Sequence, residues 1–178
     1  MTDAYAQDRT LVLLRHAKAD PPGDGPDVER PLAPRGRADA AAAGGWLARH
    51  ALLPDVVICS VARRTRETWH NVAIGMTGAP PENGSAGPAP AVHYETDAYA
   101  AHPEDLLALL RRVGPDARTV LLIAHNPGIS LLSALLAPER EDQDGLRTSD
   151  VVVHRTAVGW EELAGRSTVI TAWHTARG

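Results

Sequence analysis

Three short apolar runs constrain this chain more than any other feature, because each one stops at residues suited to holding an anion. Leu11-Val12-Leu13-Leu14 leads into Arg15-His16-Ala17, and Val56-Val57-Ile58-Cys59 leads into Ser60-Val61-Ala62-Arg63-Arg64-Thr65. The run from Thr119 to Ala124 leads into His125-Asn126-Pro127-Gly128. Continuous apolar runs of this length fit strands of a parallel sheet covered on both faces. In open α/β folds the carboxyl edge of such a sheet is where ligands sit. Two histidines and two arginines are thus expected to converge on one sheet edge.

The segments between the runs read as helices. Arg35 to His50 is Ala-rich and opened by Pro34, and a second helix covers Ala62 to about Met76. Pro103 to Val113 carries Leu106, Leu107, Leu109 and Leu110, and Pro127 to Leu136 is a fourth helix. Val92-His93-Tyr94 reads as a short strand, and Val151-Val152-Val153 with Thr168 to Trp173 as a closing pair near a sheet edge. The alternation predicts a three-layer α/β/α domain with a mostly parallel central sheet. A single domain is expected over residues 10–178, with residues 1–9 as a loosely attached N-terminus. Three segments read as loops: the Pro-, Gly- and Asp-rich Ala19 to Pro34, the Gly- and Pro-packed Thr77 to Ala91 as a flexible insertion, and the charged Glu139 to Leu146.

Composition narrows the function classes. The formal net charge is −4 over 178 residues, so no basic surplus points to nucleic acid or to an anionic membrane. Cys59 is alone, which excludes an internal disulfide, and no Cys/His pair has zinc-ligand spacing. The opening residues are polar, unlike a signal peptide, and no run reaches membrane-spanning length. A cytoplasmic protein without metal or cofactor is expected. All basic residues but Lys18 are arginine, which weakens any argument from a lone arginine.

The chemistry suggested by the junctions is transfer of a phosphoryl group onto a histidine. A neutral imidazole aimed at phosphorus is a nucleophile. The transferring group spreads charge over its oxygens, so the remaining task is positioning and neutralisation by arginine forks and histidine. His16 is the expected nucleophile, with Arg15 beside it, Arg64 after the second strand and His125 after the third. The helix opening at Pro127 adds backbone N–H groups. Arg63, Arg66, Arg111 and Arg112 read as solvated helix faces, Arg63 pairing with Glu67. Ser60 reads as a helix cap, and the other histidines read as ordinary loop or surface residues.

These elements resemble the histidine phosphatase superfamily, in its phosphoglycerate-mutase-like branch. Leu13 to Ala19 is similar to the Arg-His-Gly element, with the Ala found in short SixA-type phosphohistidine phosphatases. Arg30-Pro31-Leu32-Ala33-Pro34-Arg35-Gly36 resembles the Arg-Pro-Leu-x-x-x-Gly element. Ser60 to Thr68 resembles Ser-Pro-x-x-Arg-x-x-Gln-Thr, with Val61 and Glu67 in place of Pro and Gln. Ala124 to Gly128 resembles Gly-His-Asn-Pro-Gly. The resemblance implies catalytic roles for His16, Arg15, Arg64 (rather than Arg63) and His125, with Asn126 joining Arg15, Arg64 and His125 in binding substrate. It implies a phosphoglycerate-mutase-like fold and a phosphorylated histidine-containing carrier or phosphotransfer protein as partner. A small-molecule phosphomonoesterase and a non-catalytic module that binds phosphorylated ligands are the alternatives.

One departure bears on the substrate. Relatives acting on alcohol phosphates place a glutamate general acid in this region; in the stretch Glu95 to His102 the apparent counterpart is around Tyr99, with no Gly and no acidic pair there. Asp97 and Glu104 are the candidates that remain. Phosphohistidine needs less help, since its second ring nitrogen can be protonated and the imidazole then leaves neutral.

Overall fold

The computed structural model describes residues 8–79, 89–140 and 144–178. Its core is one six-stranded sheet in the order β3-β2-β4-β1-β5-β6. The strands are β1 (Arg9–Arg15), β2 (Val56–Ser60), β3 (Ala91–Glu95), β4 (Thr119–Ala124), β5 (Asp150–Thr156) and β6 (Val169–Thr175). β3, β2, β4 and β1 are mutually parallel, while β5 runs antiparallel to both β1 and β6. The expected closing pair is present, with β6 as the sheet edge and β5 one position in. The helices are α1 (Pro34–Arg49), α2 (Arg63–Thr77), α3 (Pro103–Arg111) and α4 (Gly128–Leu136).

Alternation along the buried strands builds two cores. Leu11 and Leu13 of β1 pack with Leu106, Leu110, Ile129 and Leu132 of α3 and α4. Val12 and Leu14 face the other way, toward Trp46 and Leu47 of α1 and Trp69 and Val72 of α2. A one-residue slip of β1 would exchange these sets, and each large apolar side chain misplaced into water costs about 1.5–3 kcal/mol. The register is therefore fixed, and with it the level at which Arg15 and His16 emerge.

The N-terminal segment expected to be loose lies mostly outside the described residues; Arg9 already belongs to β1, opposite Thr156. Most of the expected insertion, residues 80–88, is also outside them, as are residues 141–143 of the charged loop. The loop from Ala19 to Pro34 holds a 3-10 turn, Asp27–Glu29, and is tied back on itself by an Ala19–Leu32 bridge. Gly36 lets α1 press against this region, because a Cβ there would collide with the Lys18 carbonyl oxygen.

Candidate active site

The carboxyl ends of β1, β2 and β4 bring the junction residues together. β1 and β4 are neighbours, and the chain after β1 continues their ladder, with His16 N–H donating to Ala124 O at 3.1 Å. The His16 and His125 rings then lie 5.3 Å apart, centre to centre. Helix α2 anchors the turn beyond His16: the Thr68 hydroxyl accepts from Ala17 N–H at 3.0 Å while donating to the Arg64 carbonyl at 2.7 Å. Glu67, standing where Gln is usual, accepts from Leu32 N–H at 2.7 Å and from Arg63 at 2.8 Å. One carboxylate thus pins the loop to the helix and holds Arg63 on the outside.

His16 is buried, and its Nδ1 lies 2.8 Å from the Ala17 carbonyl oxygen. A carbonyl only accepts, so Nδ1 carries the proton and Nε2 keeps its lone pair. Burial pushes the His16 pKa down to about 4, and the nearby Arg64, Arg15 and Arg30 guanidiniums lower it further against the opposing Ala17 bond. His125 is pushed down to about 3 by burial, with His16 and Arg64 adding to the effect. Both rings are neutral at physiological pH. His125 Nε2 lies 2.8 Å from the Ser60 hydroxyl, which also accepts from Ala62 N–H at 3.3 Å.

Buried nitrogens without a partner gather around these rings. Among the described residues, Nε of Arg15, Arg30 and Arg64 and Nδ1 of His125 have no hydrogen-bond partner. Leaving a buried donor unpaired costs about 1–3 kcal/mol, and four within one cluster describe a site built to receive an anion. Arg15 is half-buried and anchored through Nη1 on Leu146 O at 2.9 Å. Arg64 is buried, whereas Arg63 is exposed beside Glu67.

Asn126 takes a different position from the expected one. Its Nδ2 donates to Leu146 O at 2.8 Å, and its Oδ1 accepts from the Ser130 hydroxyl. The amide nitrogen holds the loop that also anchors Arg15, while the oxygen takes the hydroxyl of Ser130 in α4, which in turn accepts from Leu146 N–H. The α4 amide groups contribute less than expected as well, since Ile129 N–H is already bonded to His125 O at 2.9 Å.

Asp97 and Glu104 are exposed, and among the described residues no hydrogen bond or ion pair links either to this cluster. The carboxylate that does reach it is Asp27. Its Oδ2 accepts from the Tyr99 hydroxyl at 2.7 Å and from Arg64 Nη2 at 3.1 Å, and its backbone oxygen accepts from Arg64 Nη1 at 2.9 Å. The Tyr99 bond, followed by Arg64 and Arg30, holds the carboxyl below its usual range despite slight desolvation. Asp27, Tyr99, Arg30 and Ser60 are the residues that sequence reasoning did not place in the site; Arg30, within the Arg-Pro-Leu element, and Ser60, at the head of the second element, carried a signal.

The model of the histidine phosphatase superfamily (branch 1) matches residues 11–83. A Mycobacterium tuberculosis protein, itself uncharacterized, is 31% identical over 172 residues, covering 92% of this chain and 100% of its own length. The chain belongs to the histidine phosphatase superfamily. A structure from Nakamurella multipartitia, assigned as a SixA phosphohistidine phosphatase, is 29% identical with a TM-score of 0.78. The match covers 96% of this chain and 98% of that one. The protein histidine phosphatase SixA in complex with tungstate shares the fold, with a TM-score of 0.74 at 18% identity, over 93% of this chain and 96% of its own. Within the superfamily the chain is of the SixA type. Among the described residues no helix is long and apolar enough to cross a membrane, and no three His, Cys, Asp or Glu side chains cluster as metal ligands would.

Proposed function

We propose that this protein is a phosphohistidine phosphatase acting on a phosphorylated histidine of a carrier or phosphotransfer domain. His16 Nε2 attacks phosphorus in line, the P–N bond to the substrate imidazole breaks, and that imidazole leaves with the electron pair. Protonated beforehand on its second nitrogen, it departs neutral. Water then attacks the phosphorus on His16, releasing inorganic phosphate and restoring the ring. Arg15, Arg64 and His125 bind the phosphoryl oxygens throughout, the two guanidiniums supplying the positive charge and the neutral His125 ring a hydrogen bond. Family membership and the SixA relatives support phosphatase chemistry, and the lone buried Cys59 fits a reducing cytoplasm.

The observation that carries this reading is the His16 tautomer, with Nδ1–H on Ala17 O and an open Nε2 among unpaired guanidinium nitrogens. The choice of phosphohistidine rests on the local carboxylate. Asp27 is held as an anion, and an anion cannot give a proton to an alkoxide.

Labelled phosphohistidine peptide, quenched during turnover, should leave label on the enzyme that is stable to base and lost in acid. His16→Ala should carry none and turn nothing over. Label on Ser60, or label persisting in His16→Ala, would overturn the assignment, and rapid hydrolysis of alkyl phosphates would transfer it to a phosphomonoesterase.

A further inference from the structure

A fixed negative charge beside a phosphate site is an unexpected feature, because it repels the phosphoryl dianion that the site must bind. Asp27 stands there nonetheless. Arg64 from α2 donates through Nη1 to the Asp27 backbone oxygen at 2.9 Å and through Nη2 to Oδ2 at 3.1 Å, and the hydroxyl of Tyr99, in the turn after β3, donates to the same Oδ2. Arg30, on its own loop, lies 3.5 Å from Oδ1. Tyr99 packs edge-on against His125 at 5.7 Å, which ties the arrangement to the reacting rings. Despite these bonds the Asp27 side chain is 51% exposed. Oδ2 is fully engaged, and Oδ1 has only the long Arg30 contact, so Oδ1 can accept a further hydrogen bond from an incoming group.

The negative charge has a use when the ring bearing the phosphoryl group is a cation. A phosphoimidazole protonated on its second nitrogen presents a positively charged N–H, whereas the leaving groups of sugar or glycerate phosphates are neutral or anionic. We propose that Asp27 is the residue that selects a phosphoimidazole protonated on its second ring nitrogen, its Oδ1 accepting that N–H as the imidazole leaves neutral. This rests on the phosphohistidine reading above and names what enforces it. The proton comes from solvent before binding and leaves on the imidazole; Asp27 stays ionised throughout and transfers nothing. Tyr99 and Arg64 position it. Tyr99 is kept protonated by the same contact, its pKa raised chiefly by the bond to Asp27.

The test compares kcat/KM for a phosphohistidine peptide and for an aryl phosphate in wild type, Asp27→Asn, Asp27→Glu and Tyr99→Phe. A hydrogen bond to a charged group is worth about 10- to 100-fold, so Asp27→Asn should lower the phosphohistidine-to-aryl ratio by about that factor. Tyr99→Phe should lower it less, and Asp27→Glu, which keeps the charge, should recover part of it. Inorganic phosphate should inhibit Asp27→Asn more tightly than wild type, because a repelling charge is gone. An unchanged ratio, or weaker phosphate inhibition, would mean that Asp27 only aligns Arg64, and would overturn the inference while leaving the phosphatase reading intact. A wild type that hydrolyses the aryl phosphate but not the peptide would overturn both.

Discussion

The hydroxyl of Ser60 lies 2.8 Å from Nε2 of His125, at the point where β2 and β4 end side by side. Ser60 is fully buried, so this contact has no water to compete with it. An oxyanion at His125 Nδ1 needs a proton on that nitrogen, and the Ser60 hydroxyl can then donate to Nε2. With its oxygen already accepting from Ala62 N–H, the serine has its proton to give to Nε2, which supports the tautomer that presents Nδ1–H to the phosphoryl group. Ser60→Ala should cost about tenfold in kcat, and Ser60→Thr should keep most of it. Nitrogen shifts of the His125 ring in the presence of phosphate should move toward a tautomer mixture in the alanine variant only. Unaltered shifts with unaltered kcat would refute the role.

Arg64 and Arg63 offer a test of helix phase. Removing one preorganised donor to developing charge costs about 10²–10³-fold, so Arg64→Ala should lose at least about 10²-fold in kcat/KM. Arg63 is an exposed partner of Glu67, and solvent screening leaves such exposed pairs little influence. Arg63→Ala should stay within about threefold of wild type. Equal losses would mean that the site uses the other face of α2.

Chelation is a direct test of where the positive charge comes from. If the Arg15 and Arg64 guanidiniums neutralise the phosphoryl oxygens, activity should survive prolonged dialysis against EDTA. A loss restored by zinc or magnesium would contradict that assignment.

Stability should fall on mild acidification. His16, His125 and His154 have folded pKa values pushed down to about 4, 3 and 4, with burial the largest cause in each. Their pKa in the unfolded chain is about 6.5. Between these limits the unfolded state binds more protons, so unfolding free energy declines as pH drops from about 6.5 toward 4, by about 1.4 kcal/mol per pH unit for each such histidine. Urea titrations at intervals between pH 7.5 and 4.5 measure this slope. His154, bonded to Ser133 and Thr168 and remote from the chemistry, allows a check. His154→Gln should remove about one proton from the slope, and an unchanged slope would show that this ring is not buried neutral.

Much of the fold was legible because its signals are local. The run from Thr119 to Ala124 coincides with β4, and Pro34 marks the start of α1. Helix ends moved by a residue or two: α4 begins at Gly128 rather than Pro127, and α3 stops at Arg111. At the end of α3 the Arg112 N–H already turns to the Leu109 and Leu110 carbonyls, a tightening of the last turn that apolar periodicity does not register. His16, Arg15, Arg64 and His125 could be placed at one sheet edge in advance because each sits at the end of a strand or the start of a helix, where backbone geometry dictates the direction of emergence.

The sequence by itself determined that parallel strands would end at His16, Ser60 and His125, since continuous apolar runs can be buried only in a covered sheet. Tertiary structure decided what surrounds them. Asp27 meets Tyr99 across 72 positions and Arg64 across 37, and its Pro- and Gly-rich loop has no periodicity from which a path could be read. The loop is held by Glu67 and by the close approach of Gly36 to Lys18, contacts that exist only after α1 and α2 have packed on the sheet. Asn126 shows the same division. Its place beside His125 follows from the chain, but the Leu146 loop reaches it only in the folded molecule, and that loop takes the amide nitrogen.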